Sequence, residues 1–354
     1  MSTILKFDTA TVRDIALAKV GNPLEGEELV LSESLCNISG ENEELITTAI
    51  LKRFKSIERQ IFFHPEELEQ NLVFSSAKKV FSLTGDLLTE ANKIATHLYD
   101  TTTEPSVSAG ELCIASIEDV SIGGSPCKAL CIVKSESSTP VLEISEEEEG
   151  GLELKTHNVI LPDKAQKGAL IVCYQEKEGF AVYPFDKSGG DSDQWVRKFL
   201  GVKPLRDENY MTKQYTDMAV TFAKNELQDE EIDEVDRFQL ANQAMTYFED
   251  NDDFDLESFE RATFSDNEEA KEQFQAFKQH YKDEDGTPLD DQFSIARPVA
   301  KKASRKVKGI MNLDTGASIT FKPQFSENID ESLEKGYDEE RQMKYVKLYY
   351  TSET

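Results

Sequence analysis

A long apolar hairpin in the first half of the sequence limits what this chain can fold into. Residues 110–134 read GELCIASIEDVSIGGSPCKALCIVK, which predicts two β-strands joined at Gly123 and Gly124, because glycine readily adopts the positive φ angles of a tight turn. The second arm runs from Ala129 to Val133 without a polar residue, a pattern typical of a strand covered on both faces. We therefore expect the N-terminal half to be built around this hairpin, with Ile132 in a central strand.

The periodicity of the remaining sequence predicts an α+β fold. We expect an antiparallel sheet with packed helices in the N-terminal domain, a helical middle region and a small C-terminal β meander. The predicted domains are an α+β domain at 1–190, an acidic helical region at 191–295 and a small basic β unit at 296–354.

Individual elements follow from local patterns. Apolar residues at helical spacing predict helices at 43–58 and 75–99, and again from residue 211 onward. The acid-rich residues 145–151 are expected to form a solvated loop. Further strands are predicted in pairs and singly, at 168–174, 180–183, 304–313, 317–322 and 344–350.

Charge is distributed unevenly along the chain. The formal net charge is −29, and residues 226–292 contribute 23 acids and 5 bases. Residues 297–322 then carry seven bases and only Asp314 as an acid. A chain with this much negative charge repels nucleic acid at long range. Any contact with DNA therefore has to be local.

The basic segment is the candidate binding site. Its bases are Arg297, Lys301, Lys302, Arg305, Lys306, Lys308 and Lys322. Bases on a strand can simply protect a sheet edge, but one or two would suffice for that. Several bases together are what phosphate contact requires. If 304–313 is a strand, alternation places Arg305 on the face opposite Lys306 and Lys308.

Signatures of catalysis are missing from the sequence. No phosphate-binding glycine loop, zinc-protease motif or nucleophile elbow is present. The four histidines fall in four different predicted elements, and the five cysteines have no zinc-ligand spacing. We expect no catalytic residue, no metal, no cofactor, five reduced thiols and a cytoplasmic protein without a membrane segment.

The order of several short segments resembles the 37-kilodalton nucleoid-associated protein family of bacteria, in a form similar to Bacteroidetes members. The matching pieces include Lys19-Val20-Gly21-Asn22 near the start, Gly110-Glu111-Leu112 and Lys134-Ser135-Glu136 at the two ends of the hairpin, and Leu161-Pro162-Asp163-Lys164. Others are Lys167-Gly168-Ala169-Leu170-Ile171, Gly179-Phe180 with Val182, Trp195 with Phe199-Leu200, and Ser318-Ile319-Thr320-Phe321. The resemblance covers residues 15–325 and implies association with the bacterial nucleoid without catalysis.

Three hypotheses for function remain open from the sequence. The first is a non-enzymatic nucleoid-associated protein that contacts DNA, weakly and without sequence preference, or a DNA-bound nucleoid protein, through Arg297, Lys301, Lys302, Arg305, Lys306 and Lys308. Lys134, Lys164 and Lys167 are secondary candidates. The second is an acidic interaction protein that binds a basic partner without touching DNA, and the third is a carboxylate-metal nuclease. A homodimer is compatible with each of them.

Overall fold

The structure, a computed structural model, describes residues 5–38, 40–146, 151–187, 193–227, 232–265, 267–281 and 287–352. The chain divides into two compact units, Met1–Leu205 and Arg206–Thr354. Helices and antiparallel sheets occur in both, so the predicted α+β class is confirmed. The three-part division at 190 and 295 stays a prediction. No described helix is both long and apolar enough to cross a membrane.

The first unit is built on one antiparallel sheet of nine strands. In spatial order the strands are β11 (Val202–Pro204), β4 (Gln60–Phe62), β10 (Ala181–Asp186), β9 (Lys167–Val172), β6 (Ser125–Ser135), β5 (Gly110–Ile122), β2 (Thr11–Val20) and β3 (Leu29–Leu31), with β1 (Leu5–Lys6) also paired to β5. A separate hairpin consists of β7 (Thr139–Glu146) and β8 (Leu152–Val159).

Helices cover both faces of this sheet. These are α1 (Gly40–Leu51), α2 (Leu72–Phe81), α3 (Leu87–Thr101) and a π-helix at Asp193–Leu200. Short 3-10 turns connect elements at Pro23–Glu25, Lys52–Ser56, Leu68–Gln70, Pro162–Lys164 and Glu176–Glu178.

The predicted central hairpin is confirmed. Ile132 lies opposite Ile114 of β5 and Ala169 of β9, and it is fully buried. Leu130 and Ile132 belong to the core under α2 and α3. The alternate residues Ala129, Cys131 and Val133 belong to the core under α1. The apolar run is therefore unbroken because each of its two faces meets a different core.

Several local predictions need correction. The helix expected at 75–99 is two helices, because the side chain of Asp86 caps a new helix by accepting from the Thr89 amide and Leu83 takes a positive φ of 57°. The helix expected at 43–58 ends at Leu51 and continues as a 3-10 turn. The expected loop at 145–151 is partly strand, since Ser145 and Glu146 end β7 and Leu152 begins β8. Its central residues 147–150 lie outside the described ones.

The described part of the second unit packs helices and small two-stranded sheets around one aromatic core. The helices are α4 (Glu208–Thr221), α5 (Glu234–Asp250), α6 (Leu256–Phe264), α7 (Glu268–His280), α8 (Arg297–Ser304) and α9 (Ile329–Ser332), with a π-helix at Phe222–Glu226 and a 3-10 segment at Pro323–Asn328. The sheets are β12–β13 (Asp253–Asp255, Gln292–Ser294), whose strands are joined through α6 and α7, and the hairpins β14–β15 (Gly309–Asn312, Ser318–Phe321) and β16–β17 (Leu333–Asp338, Met343–Leu348).

The C-terminal strands do not form the single meander that the sequence predicts. β14 pairs with β15 and β16 pairs with β17, in two separate sheets. Phe321 at the end of β15 stacks on Phe325 and contacts Phe238 of α5, with ring centroids 5.2 and 5.9 Å apart. Burial against the helices, rather than pairing with further strands, therefore holds the β14–β15 hairpin in place.

Replacing Ile132 by Ala should lower the free energy of unfolding by about 2–5 kcal/mol, because it leaves a cavity in the core between the sheet and the helices α2 and α3. Denaturant unfolding measures the change. Leu45→Ala is the matched control: this side chain is 69% exposed on α1, and the substitution should change stability by no more than about 0.5 kcal/mol. Equal stabilities for the two variants would contradict the central position of Ile132.

The cysteines should differ in reactivity in the native protein. All five are unpaired, and burial raises the pKa of the Cys113 thiol to about 12 and that of Cys131 well above its usual value. Because the thiolate is the nucleophile, iodoacetamide should label the partly exposed Cys36 and Cys127 first and leave Cys113 and Cys131 unmodified. Mass spectrometry after denaturation should then find all five alkylated. Rapid native labelling of Cys131 would contradict this order.

Candidate nucleic-acid interface

The basic segment begins as the helix α8, which the second unit holds by its apolar side. Pro298 occupies the first turn, where its missing amide donor costs nothing. Ala300 and Val307 are each 1% exposed, and the amide of Ala296 donates to the Thr212 hydroxyl at 2.9 Å. The helix packs against α4 and α5. Its remaining surface, which carries the bases, therefore faces solvent.

The strand predicted at 304–313 is a helix up to Ser304, a turn, and then β14. Arg305, Lys306 and Lys308 accordingly lie in the turn between them and do not alternate across a sheet. The physical reason is that Ala300, Ala303 and Val307 are spaced by three and four residues and pack inward, which is the helical period. Lysine and alanine also favour helix intrinsically.

Arg297 differs from the other bases because it is already paired. Its guanidinium lies 2.8 Å from the carboxylate of Asp252 and donates to the Glu249 carbonyl at 3.0 Å. The pairing could not be read from the sequence, since 45 positions separate Arg297 from Asp252. This arginine orients the start of α8 rather than presenting an unengaged charge.

Five bases make up what we call the basic cluster: Lys301, Lys302, Arg305, Lys306 and Lys308. All five are exposed, and none forms an ion pair with any residue that the structure describes. Lys301 and Arg305 are four residues apart, as are Lys302 and Lys306, so each pair follows one row along the helical turn. The structure thus brings together the sequence-predicted bases other than Arg297.

Lys322 extends this surface. Gly309 pairs with Phe321 across the β14–β15 hairpin, so Lys308 and Lys322 occupy the positions just beyond that pair on the two strands. Both are exposed. The hairpin therefore has a base beside the end of each strand, close in sequence to Lys301 and Lys302 on α8 and to Arg305 and Lys306 in the turn after it.

A purely structural role explains part of the cluster. Lys301 and Lys302 lie in the last turn of α8, where cations stabilise the helix dipole by roughly 0.3–1 kcal/mol each. Arg305, Lys306 and Lys308 lie after the helix and gain little from that dipole, which acts within the last turn. They are the part of the cluster that helix stability does not explain.

Two of the secondary candidates are buried and cannot face DNA. Lys134 and Lys167 are 2% and 6% exposed, and both amines approach Glu136, at 3.2 and 3.3 Å. Burial lowers the pKa of Lys134, while the Glu136 carboxylate opposes that change. Lys167 also lies 3.7 Å from Asp186. These two lysines are internal ion-pair members of the first unit, and of the secondary candidates only Lys164 is exposed.

Replacing Glu136 by Gln should destabilise the protein by about 3–5 kcal/mol, because two buried cations lose their common partner. Glu153→Gln is the control: its carboxylate pairs with Lys155 at an exposed site, and its loss should cost no more than about 1 kcal/mol. Denaturant unfolding compares the two. A Glu136 variant as stable as the control would show that the buried network contributes nothing.

No three histidine, cysteine, aspartate or glutamate side chains come together as a metal-binding group in the described part of the chain. The abundant acids of the second unit are spread over its surface, as at Glu257, Glu268, Glu269 and Glu272, all of which are exposed. The geometry of these residues is that of a charged exterior.

Comparison with known proteins gives one finding. A family model described as nucleoid-associated protein YejK matches residues 18–343, which span nearly the whole of both units and include the basic cluster. A search of the curated proteins gave no match.

Proposed function

The chain belongs to the family of nucleoid-associated protein YejK, and on that premise we propose that it is a non-enzymatic protein of the bacterial nucleoid that contacts DNA directly through the basic cluster. The observation that carries this proposal is the exposure of five bases within eight residues, Lys301 to Lys308, none of which pairs with an acid among the described residues, in a chain of net charge −29. Other lysines of the second unit are engaged by acids, such as Lys278 by Asp291 and Lys335 by Asp233 and Asp236.

The negative net charge of the chain is compatible with DNA binding at the basic cluster, because salt limits the range of both electrostatic interactions. At physiological ionic strength the Debye length is about 8 Å, so acids farther than this from a bound phosphate oppose it only weakly. Asp252, an acid beside the start of α8, already pairs with Arg297. Contact is therefore local, modest in affinity and steeply dependent on salt.

The helix on which the cluster begins is as long as a short stretch of one duplex. The eight residues of α8, which carry Lys301 and Lys302, span about 12 Å at roughly 1.5 Å per residue. Duplex DNA carries about seven phosphate charges over that length of axis, at one per roughly 1.7 Å. Since no bulky polar or aromatic side chain accompanies the bases on α8 to read base edges, the expected binding is independent of sequence.

A second candidate function rests on a different observation. The aromatic residues of α5, α6 and α7 turn inward, among them the fully buried Phe238, Phe259 and Phe274. Acids such as Glu257, Glu268 and Glu269 remain outside. Such a surface suits a basic protein, including one already bound to DNA. The carboxylate-metal nuclease lacks a comparable observation in its support.

Replacing Lys301, Lys302, Lys306 and Lys308 together by Gln should weaken duplex binding. It should also flatten the dependence of log K on log salt by about 0.9 for each phosphate contact removed. Fluorescence anisotropy with duplexes of unrelated sequence, measured over a range of salt, gives both quantities. Unrelated duplexes should bind equally well.

The matched control removes four other exposed lysines, Lys6, Lys19, Lys55 and Lys177, and so changes the net charge by the same amount. This variant should keep the original salt slope. If both variants behave like the unaltered protein, the basic cluster is the wrong site and Lys164 is the next to test. If the unaltered protein does not bind even at low salt, direct DNA contact is wrong and the acidic surface becomes the leading interface.

A further inference from the structure

The hairpin β7–β8, which we call the arm, presents an apolar face to solvent. Each strand has eight residues, and they pair with each other over their whole length but with no other described strand. Leu142, Ile144, Leu152 and Leu154 lie on one face and are 66, 69, 75 and 62% exposed. The register places Ile144 directly opposite Leu154. An isolated two-stranded hairpin is at best marginally stable in water, so an uncovered apolar face is a cost to the monomer.

The opposite face of the arm has the composition of an ordinary surface. There Glu143 pairs with His157 at 2.6 Å, and Lys155 pairs with Glu153 at 3.0 Å. The alternation of polar and apolar residues along both strands is therefore regular. Both faces of the arm lie toward solvent, and no other described layer of the unit covers its four apolar side chains. This exposure distinguishes the arm from the nine-stranded sheet.

The area of the apolar face argues against a permanent dimer formed by this face. Eight residues at about 3.4 Å each, across two strands, give a face of roughly 270 Å². A standard stable interface buries about 800 Å² on each partner. The face matches the size of a short segment of another protein instead.

Charge favours a basic occupant. Glu146 shares the apolar face with Leu152, and Glu143 and Glu153 lie on the opposite face of the same two strands. Lys155 is the only lysine or arginine between Thr139 and Val159. A second copy of this chain, at −29, would bring like charges together, whereas a basic segment is attracted.

We propose that the arm is a docking site for a polypeptide segment of another protein in which apolar residues alternate with lysine or arginine. The apolar side chains of the segment cover Leu142, Ile144, Leu152 and Leu154, and its cations meet the surrounding glutamates. This site is distinct from the basic cluster, and it holds whether or not that cluster contacts DNA.

The test uses the full chain and two short synthetic peptides, one alternating lysine with leucine and one alternating lysine with serine. The first should bind at least about tenfold more tightly than the second, a difference that charge alone cannot produce. An arm variant with Leu142, Ile144, Leu152 and Leu154 replaced by Thr, which keeps strand propensity, should lose that tenfold preference while retaining the weak charge-driven binding of both peptides. Isothermal titration calorimetry measures the affinities.

The control variant replaces three exposed apolar residues outside the arm, Leu24, Val30 and Leu45, by Thr and should keep the preference. Hydrogen exchange on the unaltered protein gives a readout independent of any variant: the leucine peptide should slow exchange of the amides of β7 and β8. Equal binding of the two peptides, an arm variant that keeps the preference, or unchanged exchange in the arm would each overturn the proposal. So would sedimentation that shows a dimer which only the arm variant abolishes, because the occupant would then be a second copy.

Discussion

The burial of strand β6 on both faces is the constraint on which the first unit depends. All residues from Ala129 to Ser135 are buried, so the backbone groups of this strand must pair with β5 and β9. A charge can enter such a place only with partners. Lys134 lies opposite Lys167 on β9, and the two amines share Glu136. The charged groups at this end of β6 are therefore paired with each other because the strand is buried.

The sequence predicted this part of the structure because a single local rule decides it. An unbroken apolar run flanked by a Gly-Gly turn has few alternatives to a central hairpin, and Gly123 and Gly124 do adopt positive φ angles of 59° and 87°. The two helices at 72–101 were harder to separate. The signals that divide them, Gly85 and the cap at Asp86, are weak beside a hydrophobic stripe that continues through the break.

The candidate site was predicted in composition but not in conformation. The bases between Arg297 and Lys308 were identifiable from charge alone, whereas the choice between strand and helix depends on which of Ala300, Ala303 and Val307 face the core. Pairings across long distances in sequence, such as Arg297 with Asp252 or Lys167 with Glu136, decide which bases are available. No local pattern contains that information, because it arises when distant elements pack together.

The two outermost strands of the large sheet bear on how this protein behaves when it is concentrated. β3 and β11 have three residues each, and β11 ends at Pro204, which has no amide hydrogen to donate. A neighbouring molecule that tried to extend the sheet would find only a few backbone groups at either side. Short or proline-bearing borders of this kind are a common protection against open-ended aggregation. The long and apolar strands β5, β6 and β9 lie in the interior of the sheet, where each is paired on both sides.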